Sequence, residues 1–352
     1  MTGVRQAREG DTGPCVVTGT GYALADVACL DGLAGAQPAP VEPVDPAARL
    51  GRRGLRYLDR ATQLALCAAV DALRGARLVD GDGRAVADGA SVAVVVSSNT
   101  GNLGTVCRVA GDIAARTSTV LSPMDLPNAS SNVTAATVAV RFGLRGPNLT
   151  LCNGPTSGLD ALHWADRLVT GGRADRVLVV GVEPRDDLVA RLTGVAPAQL
   201  FDGAVAVVVE RDGACRQRGA PALGRLGRYR RDSTLSRCLA GLLADPELDG
   251  RPGVWFTPPE GSYGDVAAPP GVARHDLTRA VGRACGALGV LQCAAALRRF
   301  ARGEIGAAVL SCGDDREAAA GLLLLSGPER RHDHSGVPAP PAGGANTVRC
   351  DE

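Results

Sequence analysis

FGLRGPNLTLCNGPTSGLDALHWADRLVTGGRADRVLVVGVE, residues 142–183, decides the architecture. Asn148–Cys152 is a short apolar strand pattern that stops at the turn signal Asn153-Gly154-Pro155. A helix follows from Ser157 to Val169, with Pro155 just ahead of it, where a proline suits a helix start. Gly171-Gly172 ends that helix, and the Val-rich run Arg176–Val182 is a second strand. Strand, helix and strand in so short a stretch is the crossover unit of an α/β layer structure.

The same grammar extends outward. CVVTGT (15–20) is a buried strand running into Gly21, with GTGYAL as a turn. A Pro-rich loop covers Gln37–Pro46. Between Tyr57 and Leu78, residues Leu58, Ala61, Leu64, Ala65, Ala68, Ala69 and Leu73 recur at helical spacing. Ser91–Val96 and Ala204–Glu210 are strands, and Leu103–Ala115 and Asn132–Phe142 are helices. A second series then restarts: strand Ala222–Tyr229, helix Ser233–Ala244, strand Val254–Thr257, helix Ala284–Arg302, strands Ile305–Cys312 and Ala318–Leu325. Such a recurrence predicts an internal duplication, with one half in residues 1–215, a shortened half in 216–326 and a disordered tail in 327–352.

Composition narrows the function classes. The 352 residues carry a formal net charge of +1, so no excess of cations points to nucleic acid or a membrane surface. The sequence contains no Lys, which excludes Schiff-base and P-loop lysine chemistry. Aromatic residues are 3%, too few for base- or sugar-stacking platforms. The 11 Cys are scattered without a CxxC pair, and no apolar stretch approaches about 18 residues. A soluble, reduced, cytoplasmic protein is the expectation. No metal-ligand cluster, GxSxG elbow or GxGxxG loop is present, so neither a metal nor a cofactor is implied. Cys152 is expected as a core thiol at the end of a buried strand, His163 as a non-catalytic helix residue, and His275 as a loop residue.

FGLRGP, TSGLDALHWA and GGRADRVLVVGVE, in this order and spacing, resemble the β-ketoacyl synthases of the thiolase fold. VVTGTG, YLDRATQLALCAAVDAL, SSNTGNLG, DGAVAVVVE and GALGVLQCAAAL fall where that family places its counterparts, so the resemblance covers nearly the whole chain. It implies a thiolase-like duplicated α-β-α-β-α layered fold with mixed five-stranded sheets. The family's nucleophilic Cys sits at the strand-to-helix elbow, activated by the helix terminus, with its own N–H helping to hold the oxyanion. Here Pro155 takes that position and offers neither a thiol nor an N–H. Glu260 stands for the first catalytic His, Arg283 for the second, Thr278 for the Lys, and Gly313-Asp314-Asp315-Arg316 for the gating turn. Glu and Arg cannot replace two neutral imidazoles; a Glu260–Arg283 ion pair filling the vacated pocket is the expectation, with both side chains reaching solvent as the alternative.

A synthase fold stripped of its catalytic side chains resembles the chain length factors of type II polyketide synthases. That resemblance implies a heterodimer with an active ketosynthase, acting on chains carried by an acyl carrier protein. Many such factors carry Gln at the elbow, from which Pro155 departs. The shortening between Glu210 and Trp255 is nearer the compact factors of highly reducing, polyene-forming systems. By the same resemblance Asn148, Leu149, Thr150, Leu151 and Cys152 form the strand that pairs across the dimer. Thr105, Val109 and Asp112 share one helix face, which the resemblance makes the lining of the partner's acyl tunnel, with a solvated outer-face Asp112 as the alternative. Two rivals stand beside this reading: an acyltransferase or hydrolase using Cys152, and a homodimeric pseudoenzyme that binds carrier protein.

Overall fold

The structure, a computed structural model, describes residues 13–327 apart from 32–41, 81–82, 84, 86–87, 124, 249, 251 and 265. The expected tail beyond 327, and residues 37–41 of the Pro-rich loop, lie outside the described residues. Among the described residues ten strands are formed: β1 (Cys15–Ala23), β2 (Val92–Ser97), β3 (Asn148–Leu151), β4 (Arg176–Glu183), β5 (Gly203–Arg211), β6 (Gly224–Asp232), β7 (Val254–Phe256), β8 (Ala273–His275), β9 (Ala307–Gly313) and β10 (Ala319–Ser326). The principal helices are α1 (Arg60–Gly75), α2 (Leu103–Arg116), α3 (Val133–Phe142), α4 (Ser157–Thr170), α5 (Leu235–Leu243) and α6 (Leu288–Ala301).

The strand order is β3-β2-β4-β5-β1-β6-β10-β9-β7-β8. In the first five, β2 runs parallel to β3 and β4, while β5 is antiparallel to β4 and β1. In the last five, β7 runs parallel to β8 and β9, while β10 is antiparallel to β9 and β6. Counted outward from the middle of the sheet, the second order repeats the first, β6-β10-β9-β7-β8 against β1-β5-β4-β2-β3. The two five-stranded units are not separate sheets as expected. A seam of two registered pairs, Val16↔Arg225 and Val17↔Gly224, joins them into one.

Burial explains the layering. Along β2, β4 and β5 alternate residues go to opposite faces. Val94, Leu178 and Val208 pack with α1 and α3, whereas Val95, Val179 and Val207 pack with α4 and α6. The inner faces of β7, β9 and β10 cover the same two helices, while Trp255, Val309 and Leu323 pack outward on α5. α4 and α6 are therefore sandwiched between the two halves of the sheet, an α-β-α-β-α succession in a mixed sheet. The two helices approach almost backbone to backbone: a Cβ on Gly289 would lie 2.4 Å from Leu159 N.

GTGYA is strand, not the turn expected. β1 continues through it to Ala23 because α1 packs directly on these glycines. A Cβ on Gly19 would lie 2.2 Å from Ala72 O, and one on Gly21 2.0 Å from Ala68 O. α1 itself starts later than its apolar spacing predicts, at Arg60, since the Asp59 carboxylate accepts from Thr62 N at 2.8 Å and caps it.

His275, expected on a loop, ends β8 and is buried, with its Nδ1 2.8 Å from Arg299 Nη2. That contact makes Nδ1 the acceptor. Burial, and then the Arg299 charge, hold its proton affinity below that of an ordinary histidine. A group that is harder to protonate in the fold stabilises it above its ordinary value of 6.5 and loses that contribution as the pH falls below it. Thermal stability is accordingly expected to drop between pH 7 and pH 5, with a shallower drop in His275→Gln, as melts across that range will report.

Candidate functional site

β3 feeds the elbow that the sequence singles out. After Leu151 the chain passes Cys152 and Asn153, tightens into a 3-10 turn at Gly154–Thr156, and opens into α4. Gly154 takes a positive φ of 72°. Pro155 is the second residue of the tight turn, so helix entry is preserved without an N–H at that point. Ser157 Oγ donates to Gly154 O at 2.8 Å and accepts from Asn153 N at 2.6 Å. Asn99, from the loop after β2, clasps the turn: its Nδ2 donates to Gly154 O at 2.8 Å and its Oδ1 accepts from Gly154 N at 3.2 Å.

Two buried carboxylates brace this elbow. Asp160, in the first turn of α4, accepts from Asn153 Nδ2 at 3.0 Å, Thr156 Oγ1 at 2.8 Å, Arg231 Nη1 at 2.7 Å and the Tyr229 hydroxyl. Burial opposes its charge, but these four donors together hold its carboxyl below the usual range. Glu183, at the end of β4, accepts from Asn99 N at 2.7 Å, Thr100 N at 3.0 Å and Gly286 N at 3.1 Å, as well as from the Ser98 and Thr100 hydroxyls. Its burial outweighs them and pushes its carboxyl above the usual range. Glu183 thus ties the loop after β2 to the turn before α6.

Two thiols border the same place. Cys285 has a positive φ of 38° and lies 3.1 Å from Asn99 Nδ2. Cys152 is exposed, not the core thiol expected, because β3 is an edge strand and Cys152 lies just beyond its end. Burial first, and then Glu183, push both thiols up, so neither is activated as a thiolate.

The remaining expected positions are scattered. Glu260 is exposed and its carboxylate pairs with Arg279, not with Arg283. Arg283 is held by main-chain bonds instead: its N donates to Gln199 O at 2.7 Å and its O accepts from Phe201 N at 3.3 Å. Its side chain is exposed. The expected buried pair does not form, and with it goes the expected loss of stability on removing either partner. Thr278 is fixed by Asp276, whose Oδ1 accepts from its N at 2.9 Å and its Oγ1 at 2.6 Å. His163 stacks on Tyr229 with ring centroids 4.2 Å apart.

On α2, Val109 is buried against the chain's own elements and Thr105 is half-buried. Asp112 pairs with Arg108 and Arg116 on its own helix, at 3.7 and 2.6 Å. The exposed large apolar residues of α2 are Val106 and Ile113. β3 is the outermost strand on its side of the sheet, with Asn148 exposed and Leu149, Thr150 and Leu151 half-buried. Thr150 Oγ1 is buried without a hydrogen-bond partner. Among the described residues there is no metal-binding group of three or more ligands, and no helix is long and apolar enough to cross a membrane. Sequence reasoning did not single out Asn99, Asp160, Glu183, Tyr229 or Arg231. The one available signal was a Glu closing the apolar run VLVVGVE.

Comparison with known proteins agrees with this geometry. Residues 30–189 match the family "Beta-ketoacyl synthase, N-terminal domain". The 3-oxoacyl-[acyl-carrier-protein] synthase 2 of Coxiella burnetii is 26% identical over 188 residues, which are 49% of this chain and 44% of that protein. Its namesake from Vibrio cholerae is 25% identical over 134 residues, 38% of this chain and 31% of that protein. The matched region thus spans less than half the length of these curated relatives. Among solved structures, the ishigamide ketosynthase/chain length factor is similar over 90% of this chain and all of that one, with a TM-score of 0.67 and 25% identity. A type II polyketide synthase acyl-carrier protein in complex with its ketosynthase bound to the hexaketide matches over 89% of this chain and 99% of that one, with a TM-score of 0.71 and 16% identity. A β-ketoacyl synthase from Burkholderia phymatum matches over 90% of this chain and all of that one, with a TM-score of 0.69 and 14% identity. Residues 30–189 therefore match a ketosynthase-family domain, and the chain has a mixed α/β, thiolase-like ketosynthase fold.

Proposed function

We propose that this chain is a non-catalytic chain length factor that pairs with an active ketosynthase and shapes the tunnel for a carrier-bound polyketide chain. The observation that carries this reading is Pro155 at the elbow, where a nucleophile and an oxyanion N–H are both missing. The surface positions of Glu260 and Arg283 support it, since neither residue is an imidazole that could polarise a thioester. The likeness to the ishigamide ketosynthase/chain length factor over the whole of that chain favours the same role.

In this role β3 supplies an open edge for strand pairing, and α2 supplies apolar contacts through Val106 and Ile113. Thr105 and Asp112 remain the proposed tunnel face, whereas Val109 packs on its own chain and sets the position of α2. Because Val109 is buried within its own chain, a bulky side chain there displaces α2 toward the partner, and Val109→Phe should shorten the product. Ile113→Asp is expected to abolish one-to-one co-purification with the ketosynthase while leaving the melting temperature of the chain within a few degrees of the parent, because that side chain is already exposed.

The deciding experiment co-expresses the chain with a ketosynthase that retains Cys, His and His. Product should form with the pair, fail when the partner's Cys is replaced by Ala, and survive Pro155→Ala in this chain. The exposure of Cys152 favours one rival, an acyltransferase acting through that thiol. Incubating the isolated chain with a malonyl or acyl thioester and measuring intact mass separates the two. Covalent acylation that Cys152→Ala abolishes would overturn the non-catalytic reading.

A further inference from the structure

The seam between the two half-sheets is short, and the sheet opens beside it. β1 registers with β6 only at Val16 and Val17 but runs on to Ala23, so its stretch from Thr18 onward has no registered β6 partner. Thr20 and Tyr22 of that stretch border a cavity of about 820 Å³, within the size range of small-molecule pockets. The other apolar walls are Leu223 at the entry to β6, Leu297 and Phe300 of α6, and Ile305 ahead of β9. Tyr22, Leu223, Phe300 and Ile305 pack on the main core and yet stay only partly buried. Gly303 and Gly306 keep the rim low, since an added Cβ on either would meet nothing within 4 Å.

Two cations and no acid line this cavity: Arg298 in the last turn of α6 and Arg302 just past its end. Both reach Asp31, which is outside the lining. Its Oδ1 accepts from Arg298 Nε at 2.6 Å, and its Oδ2 accepts from Arg302 Nη2. Arg298 first, and then Arg302, hold the Asp31 carboxyl down at about 2, so the trio keeps one net positive charge. Glu304 is exposed and comes only within 3.6 Å of Arg302 Nη1. The carbonyls of the helix end are partly engaged already: Arg299 O accepts from Arg302 N and Glu304 N at 3.2 and 3.1 Å, and Phe300 O from Gly303 N at 3.0 Å. The Arg298 guanidinium carbon lies 5.9 Å from the Tyr22 ring centre, which sets cation and apolar wall side by side. Such a lining selects an anion that carries an apolar body.

We propose that this cavity binds a small amphipathic carboxylate, a free acid whose charged end meets Arg302 and Arg298 and whose apolar chain lies against Tyr22, Phe300 and Ile305. The site is separate from the elbow. Gly286, in the turn before α6, is bonded to Glu183 beside the elbow, and the 14 residues of α6 put its other end about 20 Å away. It therefore goes beyond the reading of Pro155 and does not depend on it.

Titration calorimetry of the full chain with sodium octanoate, below its micelle concentration, tests the site. One octanoate per chain should bind, at least about tenfold more tightly than 1-octanol, which lacks the charge. Decanoate should bind more tightly still, by up to about fourfold for each added methylene that is buried. Arg302→Gln, at a side chain 43% exposed, should cost octanoate at least about fivefold and leave 1-octanol unchanged. Gly306→Leu, which builds into open space at the rim, should abolish binding of both acid and alcohol while the melting temperature holds. If that variant melts low, Arg302→Gln carries the test. Octanoate binding that survives Arg302→Gln at full strength, equal affinity for octanoate and 1-octanol, or no saturable binding to the full chain would overturn the site. None of these results bears on the acylation assay, so failure of this site and failure of the non-catalytic reading are told apart.

Discussion

Gly289→Ala is expected to destabilise the fold by about 3 kcal/mol, measured as a lower denaturation midpoint with unchanged slope. The added Cβ would lie 2.4 Å from Leu159 N and 2.6 Å from the carbonyl carbon of Gly158. Both neighbours are backbone, so no rotamer change relieves the overlap. Alanine's better helix propensity, worth about 1 kcal/mol, offsets only part of the strain. α4 and α6 would have to separate, and each also packs against both halves of the sheet. Gly306→Ala is the matching control, because nothing lies within 4 Å of a Cβ there and its effect should be near zero. A midpoint for Gly289→Ala as high as the control's would refute the claim that the two helices touch through their glycines.

Glu183→Ala is expected to destabilise by about 3–5 kcal/mol. The substitution removes the common acceptor of Asn99 N, Thr100 N and Gly286 N, three backbone donors in a buried corner. An unsatisfied buried donor costs about 1–3 kcal/mol, and entering water recovers part of the sum. Glu183→Gln keeps one carboxyl-like oxygen and removes the buried charge that the site disfavours, so it should lose less than half as much. The measurement is again chemical denaturation. Equal losses for Ala and Gln would mean that the charge matters here, not the acceptor geometry.

The sheet was largely legible because its central strands are near-continuous apolar runs and its helices keep a 3.6-residue period. The elbow was legible because a proline after a strand, followed by a small-residue helix start, has few other uses. What escaped was set by contacts distant in sequence. GTGYA looked like a turn because glycine usually marks one; only the approach of Ala68 and Ala72 requires glycine within a strand. Cys152 looked like a core residue because nothing in Asn148–Cys152 records that β3 is an edge. Glu260 found Arg279 and not Arg283 because the Leu200 bridge turns Arg283 outward, a restraint about 80 positions away in sequence. Asp160 and Glu183 drew no notice for the same reason: their donors come from Asn99, Tyr229, Arg231 and Gly286.

The strand order has a practical corollary. β1 and β10, the first and last strands of the described residues, flank β6 in the middle of the sheet, four and six strand spacings (about 19 and 29 Å) from β3. A fluorophore or affinity handle joined directly before β1 or directly after β10 would therefore enter near the sheet's midline and leave the open border unobstructed. Assembly with a companion subunit could be followed by energy transfer between such labels without disturbing the surface under test.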